Sequence, residues 1–389
     1  MHRPLIALFL SLLGCVAAHA AEPVTIGQLY AIHSPTLAED REYRVHLPAS
    51  YRWATNRRYP VLYLLDGRTR FGHTATAVEA LAAAGDIPEM IVVAVDSTDQ
   101  RARDFTPSGS EAVAGSGGAD KFKRFLSTEL IPSVEQEYRA NGFRILSGHS
   151  LGGLFVLHSL SAEPALFQAY IALAPNLDWD NKLAQRALQK TFEADSTIKG
   201  YAYVARADDG GAVLTDFEAL ADTFKNKAPP GLRWQASAFP QESAATVPLP
   251  AQVEALRGLY QGYRLPAADY AKGLANAEEH FSKVSRLVGT PLAITEEALS
   301  GVAHAQLDTK PKDALKLFQR NLDANPNSAD AHMGMAEAFA KNNKWKDAAR
   351  EADRAVALAA EYQQPAPAQA YYKDKAAKIK EGPKKKGAR

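Results

Sequence analysis

The sequence is poor in cysteine and has no excess of either charge. Its 389 residues include a single cysteine, Cys15, so a disulfide bridge within the chain is excluded. Lysine and arginine together number 45 and aspartate and glutamate 44, which leaves no overall field to attract nucleic acid. We therefore expect neither a disulfide-stabilised protein nor a nucleic-acid partner.

The N-terminal segment has the features of an export signal. A single arginine precedes an apolar run at residues 5–13, and residues 18–20 form a small-residue cleavage site. The run is too short to span a bilayer. We therefore assign residues 1–20 to a signal peptide and expect a periplasmic or secreted protein. Alternatively, residues 12–15 resemble a bacterial lipobox, and a lipid on Cys15 would then anchor the chain to a membrane.

The clearest chemical motif is Gly148-His149-Ser150-Leu151-Gly152. A short apolar run leads into it and a leucine at every third position follows it, which predicts a strand, a sharp turn and a helix. In such a turn the serine hydroxyl projects above the sheet edge, and the glycines leave room where strand and helix cross. The motif is typical of the nucleophile elbow of an α/β-hydrolase.

Strand-like and helix-like segments alternate through the first two thirds of the chain. The predicted strands, besides the one that leads into the elbow, are residues 42–47, 59–65, 90–95, 170–174, 201–204 and 232–239. Helical periodicity separates most of them. Such alternation predicts an α/β fold with a doubly wound, mostly parallel sheet over residues 24–264.

From about residue 269 the pattern changes to alanine-rich helices alone. The triplet at residues 313–315 recurs 34 residues later, at 347–349, and 34 residues is the tetratricopeptide period. We assign residues 269–362 to a small all-α TPR-like module that offers a docking surface for a protein partner; a generic helical hairpin is the alternative. Residues 363–389 are assigned to a basic, flexible tail.

Several stretches resemble the putative-esterase branch of the α/β-hydrolases, which includes the ferric enterobactin (siderophore) esterases and is related to esterase D. The matching stretches are residues 43–48, 64–67, 101–107, 118–122, 147–153, 179–181 and 247–250. The resemblance spans residues 26–263. It implies a serine hydrolase that cleaves a small-molecule carboxylic ester or lactone without a metal or a cofactor.

The same resemblance suggests which residues carry the reaction. Ser150 matches the nucleophile. The N–H of Leu151 is expected to be one oxyanion donor, and the N–H of Gly67 or Arg68, in the turn after a predicted strand, is expected to be the other.

A histidine is missing where the resemblance requires one. In this fold the triad follows the order Ser, acid, His, and the base lies in the loop after the last strand. The family pattern places that histidine at Ala244, and none occurs between His158 and His280. The candidate acids are Asp208 and Asp209, for which a solvated turn is the alternative.

Three explanations for the missing histidine stay open. Ser150 acts without a base, at a rate far below that of a complete triad. A displaced histidine serves instead, and His73 is the candidate, because His149 is expected to point away from its neighbour. Glu242 is a third candidate, although a solvent-facing carboxylate is a weak base for serine.

Two arginines and an aromatic residue are candidate substrate contacts. Arg101 and Arg103 follow a predicted strand, at the edge where ligands bind in open parallel sheets. Either guanidinium can pair with a substrate carboxylate or catecholate, and a salt bridge to Asp104 is the alternative. His73 is a candidate on the substrate side, and Trp179 is a candidate wall for an aromatic acyl group.

Overall fold

The structure is a computed structural model that describes residues 24–208 and 210–382. The assigned signal peptide with Cys15, the candidate acid Asp209 and residues 383–389 lie outside the described residues.

One mixed sheet forms the centre of the fold. Within the described residues it contains eight strands, β1 Gln28–Ser34, β2 Glu39–His46, β3 Tyr59–Leu64, β4 Ile91–Val95, β5 Ala140–His149, β6 Ala169–Leu173, β7 Gly200–Arg206 and β8 Leu232–Ala238. Their spatial order is β1-β2-β4-β3-β5-β6-β7-β8. The strands β1, β2 and β4 pair antiparallel, and the pairs from β4 to β8 are parallel. The predicted doubly wound, mostly parallel sheet is confirmed; β1 was not predicted.

Helices cover both faces of the sheet. The sheet region contains α1 Gly67–Ala83, α2 Arg101–Phe105, α3 Ala119–Phe125, α4 Ile131–Glu137, α5 Leu151–Ala162, α6 Trp179–Ala194, α7 Gly211–Lys227 and α8 Pro248–Leu259. Successive strand residues point to opposite faces, so Leu62 and Leu64 belong to the core that contains residues of α1 and α8, and Tyr63 belongs to the core that contains residues of α3 to α7. This double cover explains why β3 and β4 are buried along their whole length.

The C-terminal part of the described chain is helical throughout. It consists of α9 Leu274–Val288, α10 Glu296–Leu307, α11 Pro311–Ala324, α12 Ala329–Lys341, α13 Trp345–Glu361 and α14 Ala366–Glu381. The first residues of α11 and α13, Pro311 and Trp345, are 34 positions apart. Ala314 and Ala348 occupy equivalent places and are both fully buried. The repeat seen in the sequence is therefore a repeat of helix pairs.

The prediction of a flexible tail from residue 363 differs from the structure. Residues 366–381 form α14, whose Tyr372 and Ala376 are buried against α12 and α13. Four lysines and an aspartate in this helix obscure its short apolar face in the sequence. Helix α14 completes the second helix pair.

The helical module packs on the sheet region. Val284 and Val288 of α9 belong to the same core as α1 and α8. A guanidinium nitrogen of Arg57, in the loop before β3, also donates a hydrogen bond of 2.9 Å to Asn325 between α11 and α12. No helix in the described part of the chain has the length and apolarity needed to cross a membrane.

Candidate active site

Ser150 lies at the sharp turn between β5 and α5. Its backbone has φ 58° and ψ −118°, a conformation that is strained for a residue with a side chain. Two hydrogen bonds hold the turn: the Ser150 N–H donates to the Leu173 carbonyl at 3.0 Å, and the Ser150 carbonyl accepts from the Asn176 N–H at 3.1 Å. Neighbouring strand β6 and the loop after it therefore enforce the strained turn.

Glycine is required on both sides of the turn. A Cβ atom at Gly148 would lie 2.4 Å from the carbonyl oxygen of Gly152, and one at Gly153 would lie 2.9 Å from the Cα of Pro175. Only glycine allows β5 and α5 to cross this closely. The Ser150 side chain remains half-exposed, and its hydroxyl makes no hydrogen bond with another side chain of the described residues.

Two helix N-termini meet beside Ser150. Leu151 is the first residue of α5, while Gly67 and Arg68 are the first two of α1, which follows the neighbouring strand β3. The two helix starts are close, since a Cβ atom on Gly152 would contact the Asp66 carboxylate at 3.4 Å. The first N–H groups of a helix have no partner within it and attract an anion. The residues predicted to be oxyanion donors therefore lie at the same edge of the sheet.

Arg101 connects the two helix starts. Its Nε lies 2.6 Å from Asp66 Oδ1, and its Nη2 lies 3.2 Å from both Asp66 Oδ2 and the carbonyl oxygen of His149. The Asp66 carboxylate is buried, so this ion pair is shielded from solvent on one side. Arg101 was predicted to bind substrate; in the structure its guanidinium is bound within the protein.

His149 has both ring nitrogens engaged. Nδ1 lies 2.6 Å from Arg70 Nη2, and Nε2 lies 2.7 Å from the carbonyl oxygen of Ala244. A guanidinium only donates, so Nδ1 is the acceptor and Nε2 carries the proton that it donates to Ala244. Burial, followed by the charge of Arg70, lowers the pKa of His149 to about 4. His149 is therefore neutral at pH 7 and is oriented away from the adjacent serine hydroxyl, as expected.

The loop after β8 brings position 244 to the elbow. It is anchored on the end of β7, where the Asp208 N–H donates a 3.0 Å hydrogen bond to the carbonyl oxygen of Glu242. Because the Ala244 carbonyl contacts the residue before Ser150, the position where a histidine is expected lies at the site, and it carries an exposed methyl group. The candidate acid Asp208 is exposed just after β7, beside this loop.

The remaining predicted contacts lie around this centre. Arg103 binds Glu39 at 2.6 Å and Asp104 at 2.8 Å, which agrees with the salt-bridge alternative and differs from a substrate role. His73 lies one helical turn after Arg70, and burial together with the Arg70 charge lowers its pKa. Trp179 is half-buried and donates a 3.1 Å hydrogen bond from Nε1 to the Ser108 hydroxyl.

Three residues at the site were not singled out in the sequence. Asp66 and Arg70 lie at the start of α1, and Asn176 follows β6 and has a buried side-chain oxygen with no hydrogen-bond partner among the described residues. All three lie just beyond the carboxyl ends of parallel strands, where open α/β sheets bind their ligands. Their place after predicted strands was the feature of the sequence that could have identified them.

Comparison with known proteins relates this chain to esterases. Residues 34–231, just over half of the chain, match the family described as "Putative esterase". The ferri-bacillibactin esterase BesA of Bacillus subtilis is 36% identical over 163 residues, which cover 36% of this chain and 56% of BesA. The chain spans about half the length of the curated relatives that it matches.

Solved structures extend the similarity to the fold. An IroE-like serine hydrolase from Shewanella oneidensis matches with a TM-score of 0.67 and 26% identity, over 77% of this chain and 99% of that chain. An uncharacterised protein from Capnocytophaga ochracea matches with a TM-score of 0.59 and 16% identity, over 91% of this chain and all of that chain. The α/β-hydrolase fold predicted from the sequence is confirmed.

Proposed function

Because the chain belongs to the Putative esterase family, we propose that it hydrolyses a carboxylic ester or lactone of the siderophore type, with Ser150 as nucleophile. The observation that carries the proposal is the strained backbone of Ser150 between β5 and the free N–H groups of α5. The names of the relatives support the substrate class, since one is a ferri-bacillibactin esterase and another, from Aspergillus fumigatus, is a siderophore triacetylfusarinine C esterase.

The proposed reaction proceeds through an acyl-enzyme. The Ser150 oxygen attacks the ester carbonyl carbon, and the oxyanion that forms accepts hydrogen bonds from the N–H of Leu151 and of Gly67 or Arg68. The bond to the leaving alcohol then breaks, and the alcohol takes up a proton. Water attacks the acyl-serine, which releases the acid and restores the hydroxyl. Arg101 and Asp66 keep the two helix starts together during these steps.

The site has no histidine that is clearly free to act as the general base. His149 is neutral, but both its nitrogens are bound, and position 244 offers only a methyl group. A positioned general base typically contributes about 10²-fold to 10⁴-fold to a rate. We therefore propose that Ser150 loses its proton to solvent or to His73, whose lowered pKa keeps it neutral and able to accept a proton at pH 7. Slow turnover is the consequence.

The same observation favours a second candidate. A hydrolase fold that has lost its base can retain the oxyanion donors and the cleft, and such a site binds an ester without cleaving it. In this alternative the chain is a binding protein for a siderophore-like ester, and the helical module is a surface for a protein partner.

We also propose that the protein is exported, as the N-terminal segment suggests. Mass spectrometry of the mature chain from a bacterial periplasm tests this. Cleavage after residue 20 supports a soluble exported protein, whereas a lipid on Cys15 supports an anchored one.

Ester turnover tests the proposed function. The substrates are p-nitrophenyl butyrate and a catecholate trilactone, and the proteins are the wild type, Ser150→Ala and the matched control Ser161→Ala, which changes a serine at the far end of α5. The proposal predicts slow turnover by the wild type and the control and none by Ser150→Ala. Binding of the trilactone without turnover by the wild type would favour the binding protein.

A further inference from the structure

Arg70 carries a positive charge beside the proposed nucleophile and has no carboxylate partner among the described residues. It is the fourth residue of α1, and its Nη2 lies 2.6 Å from Nδ1 of His149, the residue before Ser150. Its Nε is buried and has no hydrogen-bond partner within the described part of the chain. The guanidinium therefore contacts a neutral imidazole, although its donors are suited to an anion.

Other arginines at this edge of the sheet do have carboxylate partners. In the segments that follow β3 and β4, Arg68 Nε lies 2.8 Å from an oxygen of Asp96, and Arg101 Nε lies 2.6 Å from an oxygen of Asp66. Arg103 contacts two carboxylates, at 2.6 Å and 2.8 Å. A substrate anion would thus find these three guanidinium groups already bound.

The environment of Arg70 favours an anionic ligand. A guanidinium stays protonated at pH 7, and burial is the largest effect on the pKa of Arg70, which it lowers. The charge is therefore held in surroundings that disfavour it. A charge removed from water is costly unless an opposite charge and hydrogen bonds compensate for it. A bound anion would supply both.

Arg70 also lies close to the place where a substrate ester would bind. It follows Gly67, a predicted oxyanion donor, by three residues, and residues three apart on a helix share one face. Its Nη1 makes no hydrogen bond within the described residues, so the protein leaves this end of the guanidinium unused. Arginine binds carboxylates through its planar fork, and one guanidinium balances the single charge of a carboxylate.

We propose that Arg70 selects esters that also carry a carboxylate, an inference that rests on the proposed function. The ester carbonyl lies at Ser150 and the Leu151 N–H, and the carboxylate binds the terminal nitrogens of Arg70. Arg101 and Arg103 were the sequence candidates for this role, and the structure gives both of them internal partners.

Hydrolysis of paired substrates tests this inference. Mono-p-nitrophenyl adipate carries a carboxylate on its acyl side, and 4-butanoyloxybenzoate carries one on the side of the leaving alcohol. The methyl ester of each is its neutral partner, and release of the phenol is measured in every case. The ratio of kcat/KM between the two members of a pair reports recognition of the carboxylate.

The wild type is compared with three variants. Arg70→Gln removes the charge, and Arg70→Lys retains it. Arg206→Gln is the matched control for a lost charge, because Arg206 is a half-buried arginine at the end of β7 whose guanidinium donates to the Ala207 carbonyl at 3.0 Å. Thermal unfolding of each variant shows whether it folds.

We expect the wild type and Arg206→Gln to prefer the carboxylate by about 10-fold or more in at least one pair. Arg70→Gln should lose this preference, and Arg70→Lys should keep part of it. An equal fall for both members of each pair in Arg70→Gln would assign the residue a structural role through His149 and would overturn the inference. The absence of a preference in the wild type would overturn it as well.

A binding measurement separates this inference from the proposed function. N-(4-nitrophenyl)adipamic acid is an amide that resists hydrolysis, and calorimetric titration compares it with its methyl ester on the wild type and Arg70→Gln. We expect the wild type to bind the acid about 10-fold more tightly than Arg70→Gln does. Labelling of Ser150 by a fluorophosphonate without any preference for the carboxylate would contradict the inference and leave the proposed function in place. Carboxylate binding through Arg70 without labelling of Ser150 would support the binding site and contradict the esterase.

Discussion

The Nε2 atom of His149 donates a 2.7 Å hydrogen bond to the carbonyl oxygen of Ala244. This contact joins residues 95 positions apart and brings the loop after β8 to the serine turn. Ala244 is where the esterase pattern places the catalytic histidine, so this loop carries a methyl group at the position where a base is expected.

Replacing Ala244 with histidine should therefore restore a base. Because position 244 lies beside His149, the residue before Ser150, we expect an imidazole there to accept the Ser150 proton and to raise kcat/KM for p-nitrophenyl butyrate by about 10²-fold to 10⁴-fold. Ala245→His is the matched control, because residue 245 is the exposed neighbour in the same loop. Equal rates for the wild type and the two variants would show that position 244 does not serve the serine.

His149 should make the protein less stable in acid. Its pKa is about 4 in the folded protein against 6.5 in the unfolded chain, so between these values the unfolded chain binds more protons. Its contribution to the free energy of unfolding is full above pH 6.5 and declines as the pH falls to 4, by about 3 kcal/mol or less. We therefore expect the free energies of unfolding in urea, measured for the wild type and for His149→Gln over a range of pH, to converge as the pH falls. Parallel curves would contradict this assignment.

The pair formed by Arg101 and Asp66 should be strongly coupled. Arg101→Met leaves the buried Asp66 carboxylate without its partner, which we expect to cost about 3–5 kcal/mol of unfolding free energy. In a double-mutant cycle, Arg101→Met combined with Asp66→Asn should be less destabilised than the sum of the single changes. Additive effects would mean that the ion pair contributes nothing to the turn.

Glycine substitutions should separate the elbow from an ordinary helix site. At Gly148 a Cβ atom would lie 2.4 Å from a backbone oxygen, so Gly148→Ala should destabilise the protein by about 1–3 kcal/mol and lower activity. Gly72→Ala is the matched control, because a Cβ atom at this position would lie 3.9 Å from the nearest atom. In addition, alanine favours a helix more than glycine does. Thermal unfolding should show a lower melting temperature for Gly148→Ala and no decrease for Gly72→Ala.

The sequence predicted most of the sheet because strand signals are local. The continuous apolar run at residues 59–65 became β3, and the glycines at 148 and 152 marked the turn. Strand β1 was missed because its exposed Leu29 and half-buried Tyr30 give a weak alternation on an edge. Helix α14 was missed because its apolar face contains few residues among many lysines.

Contacts between distant residues were beyond the reach of periodicity. Arg101 binds Asp66, and Arg70 binds His149. Both contacts depend on how β3, β4 and β5 lie side by side. The sequence places each of these residues at a strand end, but several partners of opposite charge are available there. The sheet order selects among them.

Covalent capture of the nucleophile tests the central claim most directly. The protein is incubated with a fluorophosphonate and digested, and the modified peptide is located by mass spectrometry. We predict a phosphonyl group on Ser150 in the wild type, faster labelling in Ala244→His, and no adduct in Ser150→Ala. An adduct on other residues alone, or labelling of Ser150 no faster than that of exposed serines elsewhere in the chain, would contradict the account.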